Sequence, residues 1–151
     1  MVQGSLAVLV ALATGTAQAG NDDAGESLGG VRLGMTQAEV RGLLGAPTSR
    51  ARKGQTWFWK GAELEVLFLP DAGLVPRVAG LEVSGKGAKR VPKTRRGIGV
   101  GSTVAALRAA YGTALHDDNG MYVVGRGDRA LSFDVGGDGT VNAIYLGLSW
   151  D

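Results

Sequence analysis

Residues 27–45 read SLGGVRLGMTQAEVRGLLG, and residues 94–112 read TRRGIGVGSTVAALRAAYG. Set side by side at a constant offset of 67, they keep register without a gap. Gly30 falls on Gly97, Gly34 on Gly101, Thr36 on Thr103, Arg41 on Arg108 and Gly45 on Gly112. Val31 and Ile98, Leu33 and Val100, and Val40 and Leu107 are apolar pairs at the same offset. Self-similarity at a fixed spacing is the signature of a repeated supersecondary unit. It continues through Leu64, Val66 and Phe68, which fall on Leu131, Phe133 and Val135. Past the next turn, Leu81 falls on Ile144, so the first copy carries four extra residues around Leu74 to Arg77.

Each copy has a local grammar. Thr36 is a helix N-cap, and Glu39 three residues on completes a capping box. Val40, Leu43 and Leu44 share one helical face, Gly45 fits a left-handed stop, and Pro47 blocks continuation. In the second copy Thr103 caps and Gly112 stops, but Ala106 stands where the Glu would be, so that cap is weaker. Strands are expected at 55–60, 63–69 and 78–84, and again at 121–125, 130–135 and 141–149. Leu131, Phe133 and Val135 alternate with Ser132 and Asp134, as in a half-buried antiparallel strand, and Asp138-Gly139 is a tight-turn pair. The expected fold class is α+β: two tandem copies of a short helix followed by a three- to four-stranded antiparallel meander, with the helices packed on one sheet face. Copy one would span 27–85 and copy two 97–151, joined by a basic linker at 86–96.

The 151 residues contain 16 Lys plus Arg, 14 Asp plus Glu and no Cys. The net charge of +2 is too small to specify a polyanion partner by itself. Without Cys there is no disulfide, thiolate chemistry or lipid-bearing N-terminal Cys. Residues 5–13, SLAVLVALA, followed by Ala17-Gln18-Ala19, read as a signal peptide over 1–19, although Met1-Val2-Gln3 lacks a basic residue. The mature chain would begin at Gly20, with 20–26 a flexible acidic segment, and the protein would be periplasmic or secreted.

No catalytic set, cofactor motif or metal site emerges. His116 lies in the polar stretch LHDDNG with no nucleophile motif in the chain, and reads as a solvated loop residue. His116, Asp117, Asp118 and Asn119 are consecutive, unlike the alternating ligands of a calcium loop. Gly97-Ile98-Gly99-Val100-Gly101 lacks the Lys-Ser/Thr of a phosphate loop.

Two features point to binding. Lys86, Lys89, Arg90, Lys93, Arg95 and Arg96 crowd the linker with no acid among them, a segment suited to an acidic protein or envelope polymer. No aromatics interleave, so nucleic acid is not expected. Trp57 and Trp59 project from one side of a strand and Phe58 from the other. If the tryptophans face the helix, Phe58, Tyr122 and Tyr145 become anchors on the open sheet face, flanked by Lys89, Arg90, Arg95 and Arg96.

The pattern G-x-x-x-G-M/S-T-x-x-x-V/L-x-x-x-L/Y-G, with the Trp-rich strand and the two-hairpin ending, resembles the SmpA/OmlA outer-membrane assembly lipoproteins. It is also similar to the β-lactamase-inhibitory-protein fold, over 27–69 and 94–149. The resemblance implies a non-catalytic binder outside the cytoplasm, acting through the open sheet face or its loops: an envelope-assembly accessory or an inhibitor of a secreted enzyme, and no cofactor is expected. The chain departs from the lipoproteins in having two copies and no Cys, and from the inhibitors in having no disulfide. The alternative is a polyanion or envelope-surface binder working through the basic linker.

Overall fold

The computed structural model describes residues 26–85 and 87–148. The signal peptide expected at 1–19, most of the expected segment 20–26, Lys86 and residues 149–151 lie outside the described residues. The first helix, α1, is Gln37–Leu44. Four strands follow: β1 (Ser49–Ala51), β2 (Thr56–Trp59), β3 (Leu64–Pro70) and β4 (Pro76–Ser84). The second helix, α2, is Val104–Tyr111. It precedes β5 (His116–Asp118), β6 (Met121–Val124), β7 (Leu131–Val135) and β8 (Val141–Gly147).

All eight strands form one sheet in the order β1-β2-β3-β4-β8-β7-β6-β5, antiparallel throughout. This corrects the expected fold class. The chain is a single, mostly β sheet with two short helices, and not two tandem helix-plus-meander units with a helical layer on the sheet. The physical reason is edge satisfaction. A unit of about 55 residues buries little core alone, and its last strand would leave a row of backbone groups and apolar side chains unpaired. Pairing β4 with β8 removes both problems, setting Leu81 against Leu146 and Val83 against Ile144. At eight residues each, the helices are too short to form a layer. Val40 is the one buried residue of α1, while α2 contributes Leu107 and Tyr111.

Strand alternation sorts the sheet into two faces. The core face carries Trp57, Val66, Leu81, Leu146, Leu131 and Val124 along one row of paired residues. The neighbouring row carries Trp59, Leu64, Val83, Ile144 and Phe133. Trp57 packs on Phe68 with ring centroids 4.8 Å apart and on Trp59 at 5.9 Å. Each indole N–H is satisfied, Trp57 Nε1 donating to the Gly54 carbonyl at 3.0 Å and Trp59 Nε1 to that of Gly45 at 3.3 Å. In the other half Tyr111 packs on Phe133 at 5.5 Å.

The helices are tied to the sheet by backbone as well as by side chains. Gly34 N–H donates to Val78 O, and Gly101 N–H to Val141 O, each at 2.8 Å. Both glycines sit at positive φ, +88° and +95°, which lets the chain turn from this pairing into the N-cap. Thr36 and Glu39 form the full capping box: Thr36 Oγ1 accepts from Glu39 N–H at 3.2 Å, and Thr36 N–H donates to Glu39 Oε2 at 2.8 Å. The Thr36 backbone N–H holds the Glu39 carboxyl below its ordinary range. Thr103 makes only its half, accepting from Ala106 N–H at 3.1 Å.

The strands missed from the sequence, β1 and β5, are three-residue edges exposed throughout. His116 therefore lies on an exposed edge strand and not in a loop. Linker residues also join the body: Thr94 is buried and bridges to Leu28, and Lys93 O accepts from Gly29 N–H at 2.9 Å.

The capping asymmetry has a measurable consequence. Thr36→Ala is expected to cost about 1 kcal/mol and Thr103→Ala about half of that, because the Thr36 hydroxyl also donates to Glu39 Oε2 at 3.3 Å, whereas Ala106 offers Thr103 no such acceptor. Ala106→Glu is expected to be neutral or mildly stabilising. Urea melts of the three variants check this, and clear destabilisation by Ala106→Glu would contradict the cap assignment.

Candidate interaction surface

The face opposite the core carries one continuous row across all eight strands. Ser49 pairs with Phe58, Phe58 with Glu65, Glu65 with Glu82, Glu82 with Tyr145, Tyr145 with Ser132, Ser132 with Val123, and Val123 with His116. Phe58, Glu65, Glu82, Tyr145, Ser132 and Val123 are all half-buried, with neither helix over them. A second row on this face runs Ser84, Ala143, Asp134, Met121, Asp118. The face is thus aromatic at Phe58 and Tyr145 and acidic at Glu65, Glu82, Asp134 and Asp118. Beside Phe58 a hollow of about 280 Å³ is lined by Glu63, Glu65 and Glu82, with Lys60 as its one cation.

Of the residues singled out in the sequence, the structure places Phe58 and Tyr145 in one row of one face, three strands apart, and the rest elsewhere. Tyr122 pairs with Phe133 in the core-face row and packs half-buried against the core. Its ring lies 5.7 Å from the Arg108 guanidinium, and its hydroxyl accepts from Arg108 Nη2 at 3.3 Å. Tyr122 is therefore not an open-face anchor. Its strand, MYVV, is apolar at all four positions, so alternation alone does not say which pair faces in.

The basic linker does not flank the open face either. Lys89 and Arg90 are exposed beside Leu43, Leu44 and Trp59, on the helix side. Arg96 stacks 5.2 Å over the Tyr111 ring and donates to the Ala110 carbonyl at 2.8 Å, at the end of α2. Arg95 is exposed next to it. The sequence reading passed over the carboxylates that do share the face with Phe58 and Tyr145. Their signal was present: Glu65, Glu82 and Asp134 each stand between two apolar residues of a strand.

Glu26, read as the end of a flexible segment, is 8% exposed, and its Oε2 has no hydrogen-bond partner among the described residues. Burial raises its carboxyl above the ordinary range, against the opposing pull of Arg95 and Arg96. The neighbouring Tyr111 hydroxyl is pushed up to about 12, chiefly by burial, and donates to Thr94 Oγ1 at 2.9 Å.

Among the described residues, no three or more His, Asp or Glu side chains converge as metal ligands. No helix among them is long and apolar enough to cross a membrane. No protein-family model, curated protein or solved structure matches the chain.

Glu26 gives a pH prediction with a definite sign. Its carboxyl is raised on folding, so folding favours the protonated form. That contribution is fully present below the ordinary value of 4.5 and is lost as pH rises through the raised value. Glu26→Gln is therefore expected to stabilise the protein by about 1 kcal/mol at neutral pH, with the gap to wild type closing towards pH ~4. Chemical denaturation at the two pH values measures it; a gap that widens on acidification contradicts the assignment.

Proposed function

We propose that the chain is a non-catalytic exported protein that binds another protein, in the cell envelope or outside the cell, through the open face of its sheet. The row from Phe58 through Glu65 and Glu82 to Tyr145 carries this reading: two aromatics separated by two carboxylates, on a face that neither helix covers. Aromatic rings supply contact area at low entropy cost and attract cations to their faces. Carboxylates between them select a Lys- or Arg-bearing partner surface and speed its encounter. The partner chemistry is thus basic. The acidic partner expected from the linker does not suit this face, because the linker lies on the other side. The resemblance of the repeated motif to envelope-assembly lipoproteins and to enzyme-inhibitory proteins agrees with a binding role, and the leader-like residues 1–19 with export.

Affinity capture from an envelope and secreted fraction, with the protein beginning at Gly20 as bait, tests the proposal. A retained protein should be lost or weakened about tenfold by Phe58→Ala, by Tyr145→Ala and by Glu65→Gln/Glu82→Gln. Retention should weaken with salt for the wild type. A partner held equally by all three variants would show that the open face is not the binding surface.

A further inference from the structure

The helix side of the first half holds a groove that the proposed function does not use. Its walls are Leu43 and Leu44 from the end of α1, its floor Trp59 and Leu64, and its rim Lys89 and Arg90; its volume is about 340 Å³. The surround of the groove is held by hydrogen bonds. Lys89 N–H donates to Gly61 O at 3.1 Å, which fastens the linker to the β2–β3 turn. Lys60 N–H donates to Thr48 Oγ1 at 3.0 Å, and Trp59 Nε1 fixes the floor to Gly45. Leu43 is 53% exposed, a large apolar side chain turned to water from an otherwise polar helix surface. The lining contains no acidic residue.

The second half shows what fills the equivalent place there. At the 67-residue offset, Leu43 and Leu44 correspond to Ala110 and Tyr111. The Tyr111 ring is buried, Arg96 lies over it, and the same guanidinium bonds the Ala110 carbonyl. There the chain supplies its own ring beneath its own cation. In the first half, exposed Leu43, half-buried Leu44 and two cations surround the groove, and Leu44 stands where the second half has the Tyr111 ring.

We infer that this groove docks a short acidic segment of a partner protein, with an aromatic side chain over Trp59 and Leu64 and its neighbouring carboxylates on Lys89 and Arg90. An apolar floor with a cationic rim needs both parts: a small anion leaves the floor wet, and an uncharged ring leaves the rim unpaired. The inference does not rest on the open-face reading. It uses the opposite side of the sheet and the opposite charge, so the two stand or fall separately.

The test uses the protein beginning at Gly20 and a fluorescein-labelled peptide with one phenylalanine between two pairs of aspartates. Anisotropy is read at about 50 mM salt, where exposed charges are weakly screened. Saturable binding is expected. Lys89→Gln/Arg90→Gln should weaken it about tenfold and Leu43→Ser about fivefold; all three side chains are exposed, so the variants fold. Arg50→Gln/Lys53→Gln removes the same charge from another surface and should stay within about twofold. A peptide with lysines for aspartates should not bind. The inference is overturned by absence of saturable binding, by equal loss in the Arg50/Lys53 variant, or by unchanged binding in the Lys89/Arg90 variant. Binding of sodium decanoate where the peptide fails would assign the groove to an amphiphile and would also overturn it.

Discussion

The antiparallel pairing of β4 with β8 is the constraint on which the rest of the structure depends. Without it, Leu81, Val83, Ile144 and Leu146 would sit on two unpaired edges. With it they become the centre of the core face, each almost wholly buried. The seam is close. Gly80 stands opposite Gly147, and a Cβ built on Gly147 would lie 2.5 Å from the Ala79 carbonyl oxygen. Gly147 also has φ +86°, so only glycine is comfortable there. The remaining edges, β1 and β5, are short and exposed, which limits strand addition by other chains.

A continuous sheet also makes a continuous surface, and the two sides differ in chemistry. The open side concentrates Glu65, Glu82, Asp134 and Asp118 around Phe58 and Tyr145. The helix side carries Lys89, Arg90 and Arg96 beside apolar hollows and rings. A net charge of +2 conceals this polarity, because the opposing groups cancel in the sum and not in space.

Local features of the fold were legible in the sequence. Thr36 with Glu39, and Thr103 without one, announced two helix starts of unequal strength, and the alternation of Leu131, Phe133 and Val135 announced a strand. The longer strands are readable as apolar runs bounded by turn residues, with apolar and polar residues alternating in Leu131–Val135. The edges Ser49–Ala51 and His116–Asp118 carry no such pattern, being exposed on both sides. The single sheet was not legible, since β4–β8 pairing joins residues about sixty apart and depends on neither local propensity nor turn chemistry. The placement of the candidate residues was legible in part. Phe58 and Tyr145 alternate with strongly apolar neighbours and were placed on the open face, whereas Tyr122 in an all-apolar strand could be placed only by register. The linker's charges were visible, but their position required the contacts of Lys89 with Gly61 and of Arg96 with Tyr111.

Native-state hydrogen exchange tests the single-sheet account most directly. If β4 and β8 form the centre of one cooperative sheet, their hydrogen-bonded amides, and those of β3 and β7 beside them, should exchange through one common opening with the highest protection in the chain. If the amides of β2 to β4 instead open with a different free energy from those of β6 to β8, the halves are independent units, the seam is not the organising contact, and the continuous open face has no structural basis.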